Sequence, residues 1–172
     1  MPNSFNDDSG NLTKRINPEN HVVEHTWEDG LLKALVDPLA GQTRLYYADR
    51  QNLRRVDYLD RTTEEWKKDG HGNTLEYTNA KGAETRYKYD AADRVIQVYL
   101  PDGNIVDYAY DNVGNVSSIK DIDRRIETRY NLFGDITKRT DSAGRLRFGY
   151  DTEGRLTKVT NEGHSFWAGR RD

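Results

Sequence analysis

His21 and His25 stand four residues apart. On an extended strand that spacing puts both on one face, and a pair of imidazoles is the beginning of a transition-metal site. No third ligand follows at a suitable spacing, so the pair reads as two polar residues of a strand. Asn6-Asp-Asp-Ser-Gly-Asn has the oxygen-rich composition of a calcium loop. It lacks the alternating ligand positions and the closing glutamate of an EF-hand. Asp121 and Asp123 could be imagined as a general acid and base, and Ser117, Ser118, Ser142 and Ser165 as nucleophiles. No serine lies in a Gly-x-Ser-x-Gly elbow, and neither Gly-x-Gly-x-x-Gly nor a P-loop occurs. The chain has no cysteine, which excludes thiol nucleophiles, thiolate metal sites and disulfides. What is left is aromatic: Trp66, Tyr87 and Tyr108 carry ring faces beside polar neighbours, a combination able to stack on sugars. The residues therefore point to no enzyme, no cofactor and no metal, with glycan stacking as the alternative chemistry.

Most of these candidates fall at fixed places in an internal repeat. The segments YDAADRVIQV, YDNVGNVSSI, YNLFGDITKR and YDTEGRLTKV begin at Tyr89, Tyr110, Tyr130 and Tyr150, 21, 20 and 20 residues apart. A turn column, four residues after the key tyrosine, holds Gly10, Gly30, Gln51, Gly72, Asp93, Gly114, Gly134 and Gly154. Two residues on comes an apolar or β-branched column: Leu12, Leu32, Leu53, Thr74, Val95, Val116, Ile136 and Leu156. A second turn column holds Gly41, Gly82, Gly103 and Gly144, with Asn20, Arg61, Arg124 and His164 in the other copies. The key aromatic column is Tyr47, Tyr89, Tyr110, Tyr130 and Tyr150. Two residues earlier stand Leu45, Trp66, Tyr87, Tyr108 and Phe148. Copies one and two are the most diverged, and copy four has Lys68 in place of the tyrosine.

Two turn signals per copy leave about six residues per arm, too short for a stable helix and matched to a strand. The arm Thr85-Arg-Tyr-Lys-Tyr-Asp alternates aromatic and polar residues, which is strand period. Each copy is thus a β-hairpin, and the chain is all-β: about sixteen antiparallel strands in tandem hairpins. Asp90, Asp111 and Asp151 are placed to cap the turn that follows the tyrosine. Tyrosines two apart on a strand share a face, and copy on copy they would form a ladder of cross-strand aromatic pairs. The apolar residues two and five after the turn glycine, such as Leu156 and Val159, are three apart, which strict alternation forbids to one face. Either the first belongs to the turn or the arm carries a bulge. Sixteen strands would span roughly 75 Å if flat, so a curved, spiralling sheet with two open edges is expected.

Composition agrees with a folded but unusual protein. Of 172 residues, 34% are hydrophobic and 32% charged, which alone leans toward disorder; 11 Tyr, 3 Trp and 14 Gly argue for tyrosine-based packing instead. The 26 basic and 29 acidic residues give a net charge of -3 and are interspersed, unlike a nucleic-acid footprint. The first residues are polar and acidic, without the apolar stretch of a Sec signal peptide. No apolar run reaches the roughly 18 residues of a membrane span.

The pattern Tyr-Asp-x-x-Gly-Arg/Asn-Leu/Val resembles the RHS/YD-repeat family, most clearly at Tyr110-Asp-Asn-Val-Gly-Asn-Val and Tyr150-Asp-Thr-Glu-Gly-Arg-Leu. The resemblance is clear over about residues 40–165 and loose over 4–40. It implies a long spiralling sheet that closes into a hollow shell around a C-terminal toxin, in bacterial Rhs proteins and insecticidal toxin complexes, with related shells in teneurins. By that resemblance this chain is a non-enzymatic segment of shell wall, part of a larger secreted or cell-surface protein. Its partners would be a toxin polypeptide or neighbouring repeats of the same shell. Further expectations are association between copies through open edges, a glycan as the alternative ligand, no nucleic acid and no membrane span. The Asp-Pro- and Gly-rich motif that closes such shells is absent; Asp37-Pro38 is the only Asp-Pro pair and lies in a turn. The chain thus reads as a fragment organised as one repeat domain over 1–172. Residues 1–40 are diverged repeats, 41–165 clear repeats and 166–172 a truncated tail.

Overall fold

Alternating side chains bounded by tight turns produce strands and nothing else. The computed structural model describes residues 3–37, 41–49, 52–161 and 164–166, the last three by their backbone alone. Among them there is no helix. The strands of the first half are β1 (Asn3–Asn6), β2 (Leu12–Ile16), β3 (Val22–Glu28), β4 (Leu31–Asp37), β5 (Gly41–Tyr47), β6 (Leu53–Asp57), β7 (Thr63–Lys68), β8 (Thr74–Thr78) and β9 (Glu84–Tyr89). Those of the second half are β10 (Val95–Tyr99), β11 (Ile105–Tyr110), β12 (Val116–Lys120), β13 (Arg125–Tyr130), β14 (Ile136–Asp141), β15 (Gly144–Tyr150), β16 (Leu156–Asn161) and β17 (His164–Phe166). The chain divides into two compact units, Met1–Arg86 and Tyr87–Asp172. In the first, β1 through β8 and the start of β9 form an antiparallel meander in sequence order. In the second, β10 through β17 do the same. The tandem antiparallel hairpins expected from the repeat are therefore the fold. Gln51, in the turn column, and Pro38 and Trp167 lie outside the described residues.

The turns explain the glycine columns. At Asp111, the backbone N–H donates to Asn115 O at 2.9 Å, and Gly114 N–H donates back to Asp111 O at 3.1 Å. This wiring requires a left-handed residue at the fourth position, and Gly114 has φ 96°. In three copies without a glycine the conformation persists at Asn20 (φ 62°), Arg61 (φ 68°) and Asp93 (φ 58°), whereas Arg124 ends a shorter turn, Asp121 N–H donating to Arg124 O at 2.8 Å, and is not left-handed. The β3–β4 turn is tighter. Glu28 pairs with Leu31, leaving only Asp29 (φ 52°) and Gly30 (φ 74°) between them, both left-handed, as a two-residue hairpin loop demands.

The three-residue spacing of apolar positions is resolved by a bulge. Tyr110 pairs with Val116 but Ala109 pairs with Ser118, so Ser117 is extra. The same shift follows Trp27, Tyr47, Lys68, Tyr130 and Tyr150, and Asn6 in the first hairpin. The extra residue restores parity, so Val116 and Ile119 share a face with Tyr110 and Tyr108. In three hairpins a threonine fills the bulge and its hydroxyl donates across it: Thr13 to Phe5 O at 3.0 Å, Thr137 to Arg129 O at 3.2 Å, and Thr157 to Gly149 O at 3.1 Å.

No closed core exists within the described residues: only Ala34 (3% exposed) and Val56 (7%) are buried among hydrophobic side chains. Each unit is a single layer with one half-buried apolar face and one charged face. Tyr108 lies opposite Ile119 and Phe148 opposite Val159. The expected ladder of ring-on-ring pairs is thus corrected to alternating aromatic and aliphatic partners. Among the described residues, one stacked ring pair is seen, Trp66 and Tyr77, with centroids 5.4 Å apart at 26°. The bulge causes this, because it matches the aromatic column to the aliphatic residue of the returning arm.

Candidate functional site: the junction between repeats

The key aromatic does its work across repeats. The Tyr110 hydroxyl donates to Val95 O at 2.7 Å, Tyr130 to Val116 O at 2.9 Å, Tyr150 to Ile136 O at 2.8 Å and Tyr47 to Leu32 O at 3.0 Å. Each acceptor is the carbonyl of the apolar column residue in the preceding copy. Trp27 makes the same bond, its Nε1–H donating to Leu12 O at 2.8 Å. Trp27 pairs with Leu32 as Tyr110 pairs with Val116, so it is the key aromatic of copy two. Sequence comparison missed it because the shorter β3–β4 turn moves it one place out of the column. Tyr89 closes β9, is half-buried and makes contacts of its own. In copy four, Lys68 Nζ reaches Asn52 Oδ1 at 3.3 Å, so this junction too is bridged to the preceding copy.

The Tyr-Asp aspartates build the turn from which the next tyrosine is held. Asp111 Oδ1 accepts the N–H of Val113 at 3.0 Å and of Asn115 at 2.9 Å, while Oδ2 accepts Asn115 Nδ2–H at 3.0 Å. Asp90 and Asp151 do the same, with Arg94 and Arg155 as the side-chain donors at 2.8 and 2.7 Å. Copy seven inverts the pair: Asn131 Oδ1 accepts the two backbone N–H groups and Asn131 Nδ2 donates to Asp135 Oδ2 at 2.9 Å. The carboxyl of Asp111 is held below the ordinary aspartate range, first by the Asn115 side chain; those of Asp90 and Asp151 are held there first by Arg94 and Arg155. Arg94 also lies over the Tyr110 ring, 4.4 Å from its centroid, tying one turn to the next copy's aromatic. Gly72, Gly114, Gly134 and Gly154 complete these turns with φ of 94°, 96°, 88° and 78°.

The other candidates resolve into the same architecture. Asp7 spends its carboxylate on Ser9 N–H, Asn11 N–H and Asn11 Nδ2–H, so the calcium-like sequence is a bracketed turn. Asp121 Oδ1 accepts the N–H of Asp123 at 2.9 Å and of Arg124 at 2.6 Å, again a turn. His21 closes the Asn17 turn, its N–H donating to Asn17 Oδ1, whereas His25 sits inside β3 opposite Leu35. Among the described residues no three His, Asp or Glu gather as metal ligands. Trp66, Tyr87 and Tyr108 are half-buried on the apolar face, and Trp66 has Tyr77 stacked on it.

Comparison with known proteins follows the same unit. The RHS Repeat family model matches residues 69–105, 89–126 and 130–165. Two proteins of Dickeya dadantii (strain 3937), Probable deoxyribonuclease RhsA and Probable deoxyribonuclease RhsB, are 33% and 30% identical over 165 residues. Those matches take in 92% of this chain but 12% of each relative, so the chain spans about an eighth of their length. The crystal structure of TcdB2-TccC3-TEV superposes with a TM-score of 0.60 at 15% identity, over 94% of this chain and 11% of that one, a likeness of fold. The matched segments take in more than half of the chain and run through the hairpins where tyrosine, bracketed turn and bulge recur, so this chain belongs to the RHS-repeat family.

Proposed function

We propose that this chain is a length of wall in a repeat-built β-shell that encloses or displays a toxin polypeptide, as part of a longer exported protein. The observation that carries the proposal is the junction itself. Five copies are fastened to the one before by an aromatic N–H or O–H on a main-chain carbonyl, a connection that can be repeated indefinitely. Such a module supplies surface and enclosure, and its polar groups are spent on turns instead of being aimed at a substrate. The likeness of fold to TcdB2-TccC3-TEV supports the reading. The deoxyribonuclease in the relatives' names is assigned here to the part of those proteins that this chain does not match.

The test is protease protection in the full reading frame that carries these residues. The attached polypeptide is expected to resist digestion in the intact protein and to be cut rapidly when Tyr110, Tyr130 and Tyr150 are all changed to Ala. A frame without further repeats, or a polypeptide digested equally fast in both proteins, would overturn the proposal.

A further inference from the structure

We infer that the polar face of β13–β16 is a docking surface for an acidic polypeptide segment. Arg129 pairs with Lys138, and Lys138 pairs with Arg147, placing three cations directly opposite one another on neighbouring strands. Like charges in that relation destabilise a sheet. Ladder partners and residues two apart share a face, so Arg125, Arg145 and Lys158 join them there. The one carboxylate on this face of the four strands is Glu127, and it is taken by Arg125 at 2.8 Å. Lys138, Arg145, Arg147 and Lys158 each have an interaction partner, and on the four strands themselves this face carries six cations and one carboxylate.

The first unit shows that the repeat does not impose this excess. On its polar face, cations stand opposite acids: Lys14 and Glu24 at 3.7 Å, Arg55 and Glu65 at 2.9 Å, Lys67 and Glu76 at 2.9 Å, and Arg44 in register with Asp57. The same scaffold therefore carries a neutral face in one unit and a cationic one in the other.

The chemistry of the face selects among anions. The rings of β13–β16, Tyr130, Phe148 and Tyr150, all point to the opposite side, so no stacking platform for bases accompanies the cations. Between the cations lie Thr140, Gly149 and Thr160, small residues over which an extended backbone can pass. A Cβ at Gly149 would come within 3.3 Å of Lys158 Cβ, so the glycine keeps this track open. An extended segment presents alternate side chains about every 6.5–7 Å, a spacing that long Lys and Arg side chains from neighbouring strands can meet. The inference holds whether or not the chain is shell wall.

The experiment uses the whole 172-residue chain and a fluorescein-labelled deca-glutamate peptide, followed by anisotropy. Binding is expected at about 20 mM salt and should weaken steeply toward about 200 mM. The triple change R129Q/K138Q/R147Q should weaken it by about tenfold or more, and R129K/R147K should retain it. The matched change K14Q/R44Q/K67Q in the other unit should leave it within about twofold. Because relieving the repulsion should raise the unfolding midpoint of R129Q/K138Q/R147Q, loss of binding in that variant would not stem from unfolding. No binding at low salt, equal loss in both triple variants, or tighter binding of a DNA duplex than of the peptide at equal salt would overturn the inference.

Discussion

Tyr130 and Val116 belong to successive repeats, and the Tyr130 hydroxyl donates to the Val116 carbonyl at 2.9 Å. The bond adds a side-chain tie to the β12–β13 ladder between these copies, and among the described residues almost none is fully buried, so little core packing backs it up. Removing it in Y130F keeps the ring on the apolar face and should cost about 0.5–1.5 kcal/mol, read as a lower urea midpoint with an unchanged slope. W27F removes the equivalent bond to Leu12 and should cost a similar amount. Unaltered midpoints in both variants would show that the junction bond contributes nothing.

Arg61 and Asp93 are held at φ 68° and 58°, where other copies place glycine. Left-handed backbone costs an L-residue roughly 1–2 kcal/mol relative to glycine, partly offset by glycine's greater freedom when unfolded. R61G and D93G should each raise stability by about 0.5–1 kcal/mol in chemical denaturation. A drop in either would mean that its side chain contributes more than its backbone costs.

The turn brackets make stability depend on acid. The folded pKa of Asp111 is depressed, as are those of Asp90 and Asp151. The stabilisation is therefore complete above the unfolded aspartate value of about 3.9 and is lost as pH falls through the lower folded value. The urea midpoint should be flat from about pH 7 to pH 5 and fall below about pH 4. D111N exchanges the carboxylate for a neutral amide, toward whose Nδ2–H Asn115 must turn its Oδ1, and the loss of the charge-assisted bonds should destabilise the turn. D111N/N115D recreates the Asn131–Asp135 arrangement and should restore it. A double variant no better than D111N would refute the equivalence of the two brackets.

The bulge lets apolar residues three apart share a face. Deleting Ser117 leaves Val116 and Ile119 two apart, so a regular ladder keeps both on the tyrosine face and Ser118 on the polar one. S117A should be nearly neutral, within about 0.5 kcal/mol, and the deletion should leave the β11–β12 hairpin protected from protease and from amide exchange. Opening of the hairpin in the deletion alone would show that the bend of the bulge is itself required.

Much of this was legible in the sequence because the signals are local. Both turn columns, the strand arms and the capping role of Asp90, Asp111 and Asp151 follow from residues within a few positions of each other. The spacing of Leu156 and Val159 required either a turn residue or a bulge, and only pairing decides between them. The junction was hidden because its acceptor is a backbone carbonyl fourteen or fifteen residues away, which leaves no mark on residue type. Trp27 was hidden by a turn shorter than its counterparts. The contrast between neutral and cationic faces was hidden too, since interspersed charges along the chain conceal which of them meet across strands.

Since the junction acceptor is a carbonyl, Leu12, Leu32, Val95, Val116 and Ile136 serve equally well. Adjacent copies have no need to coevolve. An unequal crossover that removes or duplicates one whole unit leaves chemically equivalent joins on both sides. The number of repeats can then drift during inheritance in steps of one hairpin, and a poor copy such as that of Lys68 is a local blemish that its neighbours survive.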